Sequence, residues 1–187
     1  MKSRTQFIPG ERSKSEARLS LVNPGSGAGT AGMDRLGAIR LLLDQGRATA
    51  AQQQINQILR ASRSGAIYSP LIAQARSYLA ISLEMQGRYR ESLEAVAMYE
   101  PVEARSRLDS DSLAAIRVQL GLAYNYLGDH PKAVAILNTS LREARESESI
   151  LAAGNSLIAL SRVYRSINEY KIARDLTDQA LDCFRQM

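Results

Sequence analysis

Turn-forming residues recur along the chain at a nearly constant spacing. Gly46, Gly87 and Gly128 each follow a helix-like stretch, and Asn168 stands at the fourth equivalent place. Gly and Asn adopt the left-handed backbone conformation at the lowest cost, and that conformation ends one helix and lets the next begin. The spacing therefore predicts a repeated unit of two helices joined at a tight turn.

The stretch from Leu113 to Arg145 shows this unit most clearly. Apolar residues recur at helical spacing on both sides of the Gly128 turn, which predicts two amphipathic helices. They are Ile116, Leu120, Ala123, Tyr124 and Leu127 before the turn and Ala133, Val134, Ile136, Leu137 and Leu141 after it. Small residues recur where the second helix of each unit must approach the first, at Ala51, Ser92, Ala133 and Ala173. Four helical hairpins are predicted, at about residues 32–66, 69–105, 110–146 and 149–187.

The third hairpin resembles a tetratricopeptide repeat. That family's pattern asks for a Leu-Gly pair, an aromatic residue three positions on, and later an Ala with a large apolar residue four further on. Leu120-Gly121, Tyr124, Ala133 and Leu137 match it. The resemblance covers residues 32–187 and implies an all-α, right-handed superhelical solenoid of four antiparallel helical hairpins.

The chain departs from that pattern in two ways. Arg35, Arg76 and Arg117 replace the aromatic residue that usually opens the motif, and Leu157 stands there in the fourth unit. The period is also longer than the usual ~34 residues. This resembles the long-repeat branch seen in kinesin light chains and bacterial peptide-sensing regulators. The extra residues lie between hairpins, where we expect them to lengthen both helices.

The segment before the repeats, residues 1–31, differs from the rest in composition. It holds five basic and two acidic residues, and therefore +3 of the net charge of +5, which predicts a flexible basic arm. Gly27 to Gly32 fits GxGxxG, but a dinucleotide-binding fold needs a second strand and a later acidic residue. Helices follow instead, so we interpret these glycines as a linker. The arm lacks the apolar segment of a secretory signal. We expect a cytoplasmic protein or, after removal of a targeting segment, one inside a plastid or mitochondrion.

The available side chains argue against catalysis. His130 is the only histidine, lies beside the Gly128 turn and is expected to face solvent, although any histidine-dependent triad would need it. Cys183 is the only cysteine, which excludes an internal disulfide and a cysteine-based zinc site, and we expect a small apolar role for it. No apolar run is long enough to span a membrane. The sequence thus predicts no enzyme, no metal, no cofactor and no small-molecule substrate.

The resemblance implies a concave groove lined by the first helix of each hairpin. Its partner-binding residues would be Gln74, Ser77, Tyr78, Ile81 and Met85, then Val118, Gln119, Leu122, Asn125 and Tyr126, then Asn155, Ile158, Arg162 and Arg165. The family's carboxylate clamp of Lys, Arg and Asn is missing, and its asparagine ladder is largely absent. A mainly apolar floor with Arg162 and Arg165 at one end predicts a protein partner. That partner would present an amphipathic helix or an apolar peptide with an acidic group.

The predicted function is a non-catalytic protein–protein interaction scaffold, and a sensing or scaffolding region of a larger regulatory protein is the alternative. A nucleic-acid-associated role is disfavoured, because the repeats carry only about +2 with arginine and glutamate interleaved. The last helix, from about Lys171 to Gln186, spreads Leu176, Leu181 and Phe184 over more than one face. A solenoid end needs a polar cover. We therefore expect a second copy, as a homodimer, or further sequence to cover this helix.

Overall fold

The fold consists of paired helices. The computed structural model describes residues 26–62, 66–101, 103 and 106–187, and no strand occurs among them. Eight helices are described: α1 (Ser26–Asp44), α2 (Ala48–Ala61), α3 (Pro70–Met85), α4 (Tyr89–Val96), α5 (Ser110–Tyr126), α6 (His130–Glu146), α7 (Ile150–Ser166) and α8 (Tyr170–Arg185). Consecutive helices pack side by side. The predicted all-α solenoid of four antiparallel helical hairpins is therefore confirmed.

The odd-numbered helices form an inner layer. α1, α3, α5 and α7 pack on one another in order, and α2, α4 and α6 each pack on the inner helix before and the inner helix after them. Among the described helices, the last one, α8, has this kind of contact with α7 alone. Three clusters of buried apolar side chains fill the space between helices from one end to the other. The free face of the inner layer is thus a long surface shared by all four hairpins.

The turn inside each hairpin has the predicted left-handed residue. The φ angles are 75° at Gly46, 73° at Gly87, 87° at Gly128 and 67° at Asn168. Two backbone hydrogen bonds close each turn. In the third hairpin Gly128 N–H donates to the Asn125 carbonyl at 3.1 Å and Asp129 N–H donates to the Tyr124 carbonyl at 2.9 Å. This is the Schellman arrangement, which satisfies carbonyls that a helix end would otherwise leave without partners.

The same turn also separates the third hairpin from the fourth, where the sequence did not predict it. Glu148 has a φ of 54°, its N–H donates to the Arg145 carbonyl at 3.2 Å, and Ser149 N–H donates to the Ala144 carbonyl at 2.9 Å. A glutamate in this conformation is uncommon and carries a conformational cost. The packing of α6 on α7 must therefore fix this turn.

Substitution of Gly128 tests the turn assignment. We expect Gly128→Val to lower the free energy of unfolding by about 1–2 kcal/mol, because a branched side chain is strained in the left-handed conformation. No atom lies within 4 Å of the Cβ that a side chain would add, so the cost comes from the backbone rather than from a clash. Gly128→Asn is the matched control, since Asn168 occupies the equivalent turn, and it should cost less. Equal urea denaturation midpoints for the two variants would contradict the assignment.

α3 and α5 begin directly after the capping residues that the sequence predicts. Ser69 Oγ accepts from Ile72 N–H at 3.4 Å with Pro70 in the first turn, and Asp109 Oδ1 accepts from Ser112 N–H at 2.9 Å. Burial alone would raise the pKa of Asp109, but the hydrogen bonds from Ser112, together with those from the backbone of Asp109 and Asp111, outweigh it and lower the pKa. These bonds satisfy backbone donors at the start of α3 and α5.

The extra residues between hairpins lengthen helices at only one of the three junctions. Between the third and fourth hairpins a short turn suffices, so the added residues lie in α6 and α7. The other two junctions contain 3₁₀ turns, at Ala66–Tyr68 and Ala97–Tyr99, and α4 has only 8 residues. The expectation that both helices are lengthened is therefore wrong for these two junctions. Short 3₁₀ turns let the chain change direction without a long loop.

Small residues lie where paired helices approach most closely. Ala51, Ser92, Ala133 and Ala173 are all buried, and Ser92 Oγ donates to the Ala80 carbonyl across the second hairpin at 3.0 Å. In the third hairpin a Cβ on Gly121 would lie 2.5 Å from Leu137 Cγ. The absence of a side chain at that position is therefore what lets α5 approach α6 so closely.

Two of the three arginines that replace the motif's aromatic residue reach across their own hairpin. Arg117 is buried and pairs with Glu143 of α6, and Arg76 Nη1 donates to the Ala95 carbonyl of α4 at 3.2 Å. Arg35 is exposed. The long arginine side chain thus links inner and outer helices in the middle of the solenoid, where an aromatic ring would otherwise fill the space.

The start of α1 corrects the predicted boundary of the arm. The helix begins at Ser26, so the backbone from Gly27 to Gly32 is helical and the linker interpretation of this GxGxxG sequence is wrong. Several glycines in one helix disfavour it locally, and tertiary packing overrides that preference. The rest of the predicted flexible arm, residues 1–25, lies outside the described residues.

Candidate interaction groove

The inner layer carries one cavity of about 680 Å³. Each inner helix contributes a set of four equivalent residues to its lining, at positions i, i+3, i+4 and i+7, which lie on one helical face. The four sets are related by the same sequence shifts as the four turns. They are Met33, Leu36, Gly37 and Arg40; Gln74, Ser77, Tyr78 and Ile81; Ala115, Val118, Gln119 and Leu122; and Asn155, Ile158, Ala159 and Arg162. Glu84, Asp111, Ala114, Leu151 and Ala152 complete the lining.

Ten of the fourteen predicted groove residues line this cavity. They are Gln74, Ser77, Tyr78, Ile81, Val118, Gln119, Leu122, Asn155, Ile158 and Arg162. Their role in binding a partner stays a prediction. The contribution of the first hairpin was not predicted, although the repeat spacing reveals it. Counting back one repeat from the second hairpin's set gives Met33, Leu36, Gly37 and Arg40.

The other four predicted residues lie outside the cavity. Met85 and Arg165 are exposed beyond its end. Asn125 is buried. Its Oδ1 accepts a hydrogen bond from Ser166 Oγ at 2.6 Å and lies 2.9 Å from His130 Nδ1. It therefore joins α5 to the neighbouring helices. His130 is half-buried through the same contact, so the expected solvent-facing position is wrong.

Tyr126 belongs to a polar cluster at one rim of the groove. Its hydroxyl donates to Glu84 Oε1 at 2.9 Å, and Arg162 Nη2 lies 2.5 Å from the same oxygen and also contacts the hydroxyl. The Tyr126 ring stacks on Tyr89 with centroids 4.5 Å apart. The Glu84–Tyr126–Arg162 cluster thus connects the C-terminal parts of α3, α5 and α7.

This cluster changes the titration of its members. Burial raises the pKa of Tyr126, and the negative charge of Glu84 raises it further. Burial alone would lower the pKa of Arg162, but the Glu84 carboxylate outweighs it and the pKa is raised. Arg162 is therefore already paired with a carboxylate of this chain, whereas the sequence predicted that it would be available to an acidic group of the partner.

Arg40 is paired in a similar way at the same rim. Its Nε lies 3.0 Å from Asp44 Oδ1, one helical turn further along α1. Burial alone would lower the pKa of Arg40, but the Asp44 hydrogen bond and charge outweigh it and raise the pKa, with a smaller contribution from Tyr78. Both arginines that line the groove thus have a carboxylate from this chain.

The floor between the two rims is mainly apolar. Leu36, Tyr78, Ile81, Val118, Leu122 and Ile158 are its larger side chains. They come from all four hairpins, so the floor suits an apolar segment rather than a charged one.

The only cysteine of the chain lies outside the lining of the groove. Cys183 is half-buried at the edge of the core in α8, as expected for a small apolar residue. In the described part of the chain no three His, Cys, Asp or Glu side chains are grouped as metal ligands. Across the same part, no helix combines the length and the apolar character needed to cross a bilayer.

The C-terminal helix exposes large apolar side chains. Leu181 is 46% exposed and Phe184 is 37% exposed, whereas Leu141 and Ala144, one repeat earlier, are buried in α6. The Phe184 ring packs partly on α7, where a Cβ on Gly154 would lie 2.6 Å from its Cε1. In α6 the equivalent positions are covered by the following helix. The homodimer through α8 stays a prediction.

Comparisons with known proteins give two similar solved structures. Two crystal structures of a Podosopora anserina putative kinesin light chain with nearly identical TPR-like repeats are similar to the chain. One is 17% identical with a TM-score of 0.38, covering 82% of this chain and 95% of that chain. The other, a variant of the same protein with one substitution, is 16% identical with a TM-score of 0.38, covering 81% and 93%. At that TM-score the likeness adds nothing to the fold described above. No curated protein matches the chain.

A family model matches the second half of the chain. Residues 112–186 match the tetratricopeptide repeat family, which covers the third and fourth hairpins. The predicted resemblance is thereby confirmed over these residues. Repeats of this kind generally mediate protein–protein interaction and are generally non-catalytic. The third and fourth hairpins are thus similar in sequence to tetratricopeptide repeats.

Proposed function

We propose that this chain is a non-catalytic scaffold that binds a segment of a partner protein in its groove. The observation that carries the proposal is the cavity itself, lined by equivalent positions of all four inner helices. A surface built by every repeat binds extended or helical segments rather than compact small molecules. A region of a larger regulatory protein would use the same surface in the same way.

Burial of the apolar floor would supply most of the affinity. Val118 lies near the middle of the floor, on the third of the four inner helices, and is half-buried. Partly exposed apolar side chains at the centre of a concave surface are where most of the binding energy of an interface is usually concentrated. A charge at this position should therefore weaken binding more than any change at the rims.

A matched pair of valine substitutions tests the proposal. We expect Val118→Asp to weaken partner binding by roughly tenfold or more, because a carboxylate would be buried against the partner's apolar side chains. Val134 of α6 is the control, since it is also half-buried, packs on the same core cluster and lies outside the groove. Proteins captured by the full chain would be identified by mass spectrometry and compared between the two variants, with melting midpoints measured for both.

Two outcomes would contradict the proposal. Equal capture by the Val118→Asp and Val134→Asp variants would show that the groove is not the binding surface. Binding to RNA or DNA that falls steeply with salt, and persists after residues 1–25 are removed, would favour a nucleic-acid role carried by the repeats. The truncation should end at residue 25, because α1 begins at Ser26. It removes +3 of the net charge of +5.

A further inference from the structure

The charges in the groove are not equally available to a partner. Four charged side chains line it, and two of them, Arg162 and Glu84, pair with each other at 2.5 Å. A third, Arg40, pairs with Asp44 at 3.0 Å. An acidic group on a partner would have to compete with a carboxylate that is already in place. The positive charges of the groove therefore give an acidic partner little advantage.

The fourth charge, Asp111, stands at the opposite rim. It lies in the first turn of α5, and its carboxylate makes no ion pair or side-chain hydrogen bond with the described residues. The neighbouring Asp109 differs, because its carboxylate caps the helix. A carboxylate near a helix N-terminus is stabilised in its charged form. Asp111 is thus the one charge of the groove left without a counter-charge among the described side chains.

Two buried polar groups of the groove also lack a partner. Ser77 is 2% exposed and Gln119 is 8% exposed, and Ser77 Oγ and Gln119 Oε1 form no hydrogen bond with the described residues. Both residues line the cavity, on the adjacent helices α3 and α5. A buried polar atom without a partner costs free energy, which a bound donor would recover. Both atoms are closed to solvent, so the side chain must turn towards the cavity before a bound donor can reach the oxygen.

We infer that the groove selects an apolar segment carrying one lysine or arginine, whose positive charge pairs with Asp111. A hydrogen-bond donor of the same segment bonds to the Gln119 amide or the Ser77 hydroxyl. Asp111 and Gln119 are eight residues apart on α5, about 12 Å along the helix axis. A short segment lying along α5 therefore reaches both. The inference rests on the proposed function, and it replaces the acidic group that the sequence suggested with a basic one.

A library of short random peptides, displayed on phage and selected against the full chain, tests this inference. We expect the selected peptides to combine Leu, Ile or Met with a single Lys or Arg. One selected peptide would then be synthesised in three versions, with its basic residue kept, changed to Leu or changed to Glu. Fluorescence anisotropy would measure their affinities. The basic version should bind about threefold more tightly than the Leu version, and the Glu version more weakly than both.

Two variants assign this preference to particular residues. Asp111→Asn should remove the roughly threefold advantage of the basic peptide over the Leu version. Asp175→Asn, an exposed carboxylate on α8 outside the groove, is the control and should change neither. Gln119→Leu should raise the melting midpoint, since it removes a buried polar group without a partner, and weaken all three peptides by roughly threefold.

The outcomes separate this inference from the function on which it rests. Selected peptides rich in Asp or Glu, or a lysine preference that survives Asp111→Asn, would overturn the inference alone. Tighter binding to Gln119→Leu would overturn its hydrogen-bond part. If no peptide is selected, or if the selected peptides bind Val118→Asp as well as the unchanged chain, the proposed function fails and the inference fails with it.

Discussion

Gly121→Val should destabilise the protein by about 2–3 kcal/mol, because the added atoms have no room between α5 and α6. A Cβ at this position would lie 2.5 Å from Leu137 Cγ and 2.7 Å from its Cδ2. Leu137 is fully buried, so its side chain has no free space to move into. The helices must separate instead, and the contacts along the third hairpin weaken with them. Chemical denaturation of the full chain would measure the loss.

A second substitution shows whether the clash is the cause. Leu137→Ala alone should cost about 2–5 kcal/mol through the cavity it leaves. The double variant Gly121→Val/Leu137→Ala lets the introduced valine side chain fill that cavity. Its loss should then fall short of the sum of the single losses by about 1 kcal/mol or more. Strict additivity would mean that the cost of Gly121→Val has another origin.

Removal of Glu143 should cost more than removal of its partner Arg117. The Arg117 side chain is 7% exposed and Glu143 is 38% exposed, so Glu143→Ala leaves a buried guanidinium without its counter-charge. We expect a loss of about 1–3 kcal/mol, below the usual cost for a fully buried pair because water reaches Glu143. Arg117→Met should change stability by less than about 1 kcal/mol, since it replaces the pair's buried member with an apolar side chain of similar length.

The exposed pair on the same helix is the control for this comparison. Arg142 Nε lies 3.8 Å from Glu146 Oε1, and both side chains are 67% exposed. Glu146→Ala should therefore change stability by no more than about 0.5 kcal/mol. Urea denaturation of the three variants gives the order of effects. A loss for Arg117→Met as large as that for Glu143→Ala would show that the arginine contributes through its own packing rather than through the charge pair.

Structural features that a single residue determines could be predicted from the sequence. A glycine or asparagine that ends a helix reveals a left-handed turn, as at Gly128 and Asn168, and a small residue in an amphipathic helix reveals a close approach, as at Ala133. These properties follow from backbone freedom and side-chain volume, which do not depend on what lies elsewhere in the fold. The repeat spacing then extends each observation to the other hairpins.

Contacts between two residues that are far apart in the sequence could not be predicted from it. Arg162 and Glu84 are 78 positions apart, and nothing in either local sequence shows that they pair. The same holds for Phe184, whose ring lies against Gly154 of the preceding helix. A glutamate rarely adopts the left-handed φ of 54° found at Glu148, so only the packing of the helices around it explains that turn. The sequence therefore predicted where the groove lies better than it predicted which of its charges are free.

The Glu84–Tyr126–Arg162 cluster also has a mechanical consequence. It fastens α3, α5 and α7 together near their C-terminal ends, with one ion pair and the hydrogen bonds of the Tyr126 hydroxyl. No comparable cross-link joins the N-terminal ends of these helices at Gln74, Asp111 and Asn155, as far as the described residues extend. These side-chain bonds therefore hold the three helices together at one rim only. We expect a partner thicker than the groove to be accommodated by separation of the helices at the opposite rim, beside Asp111.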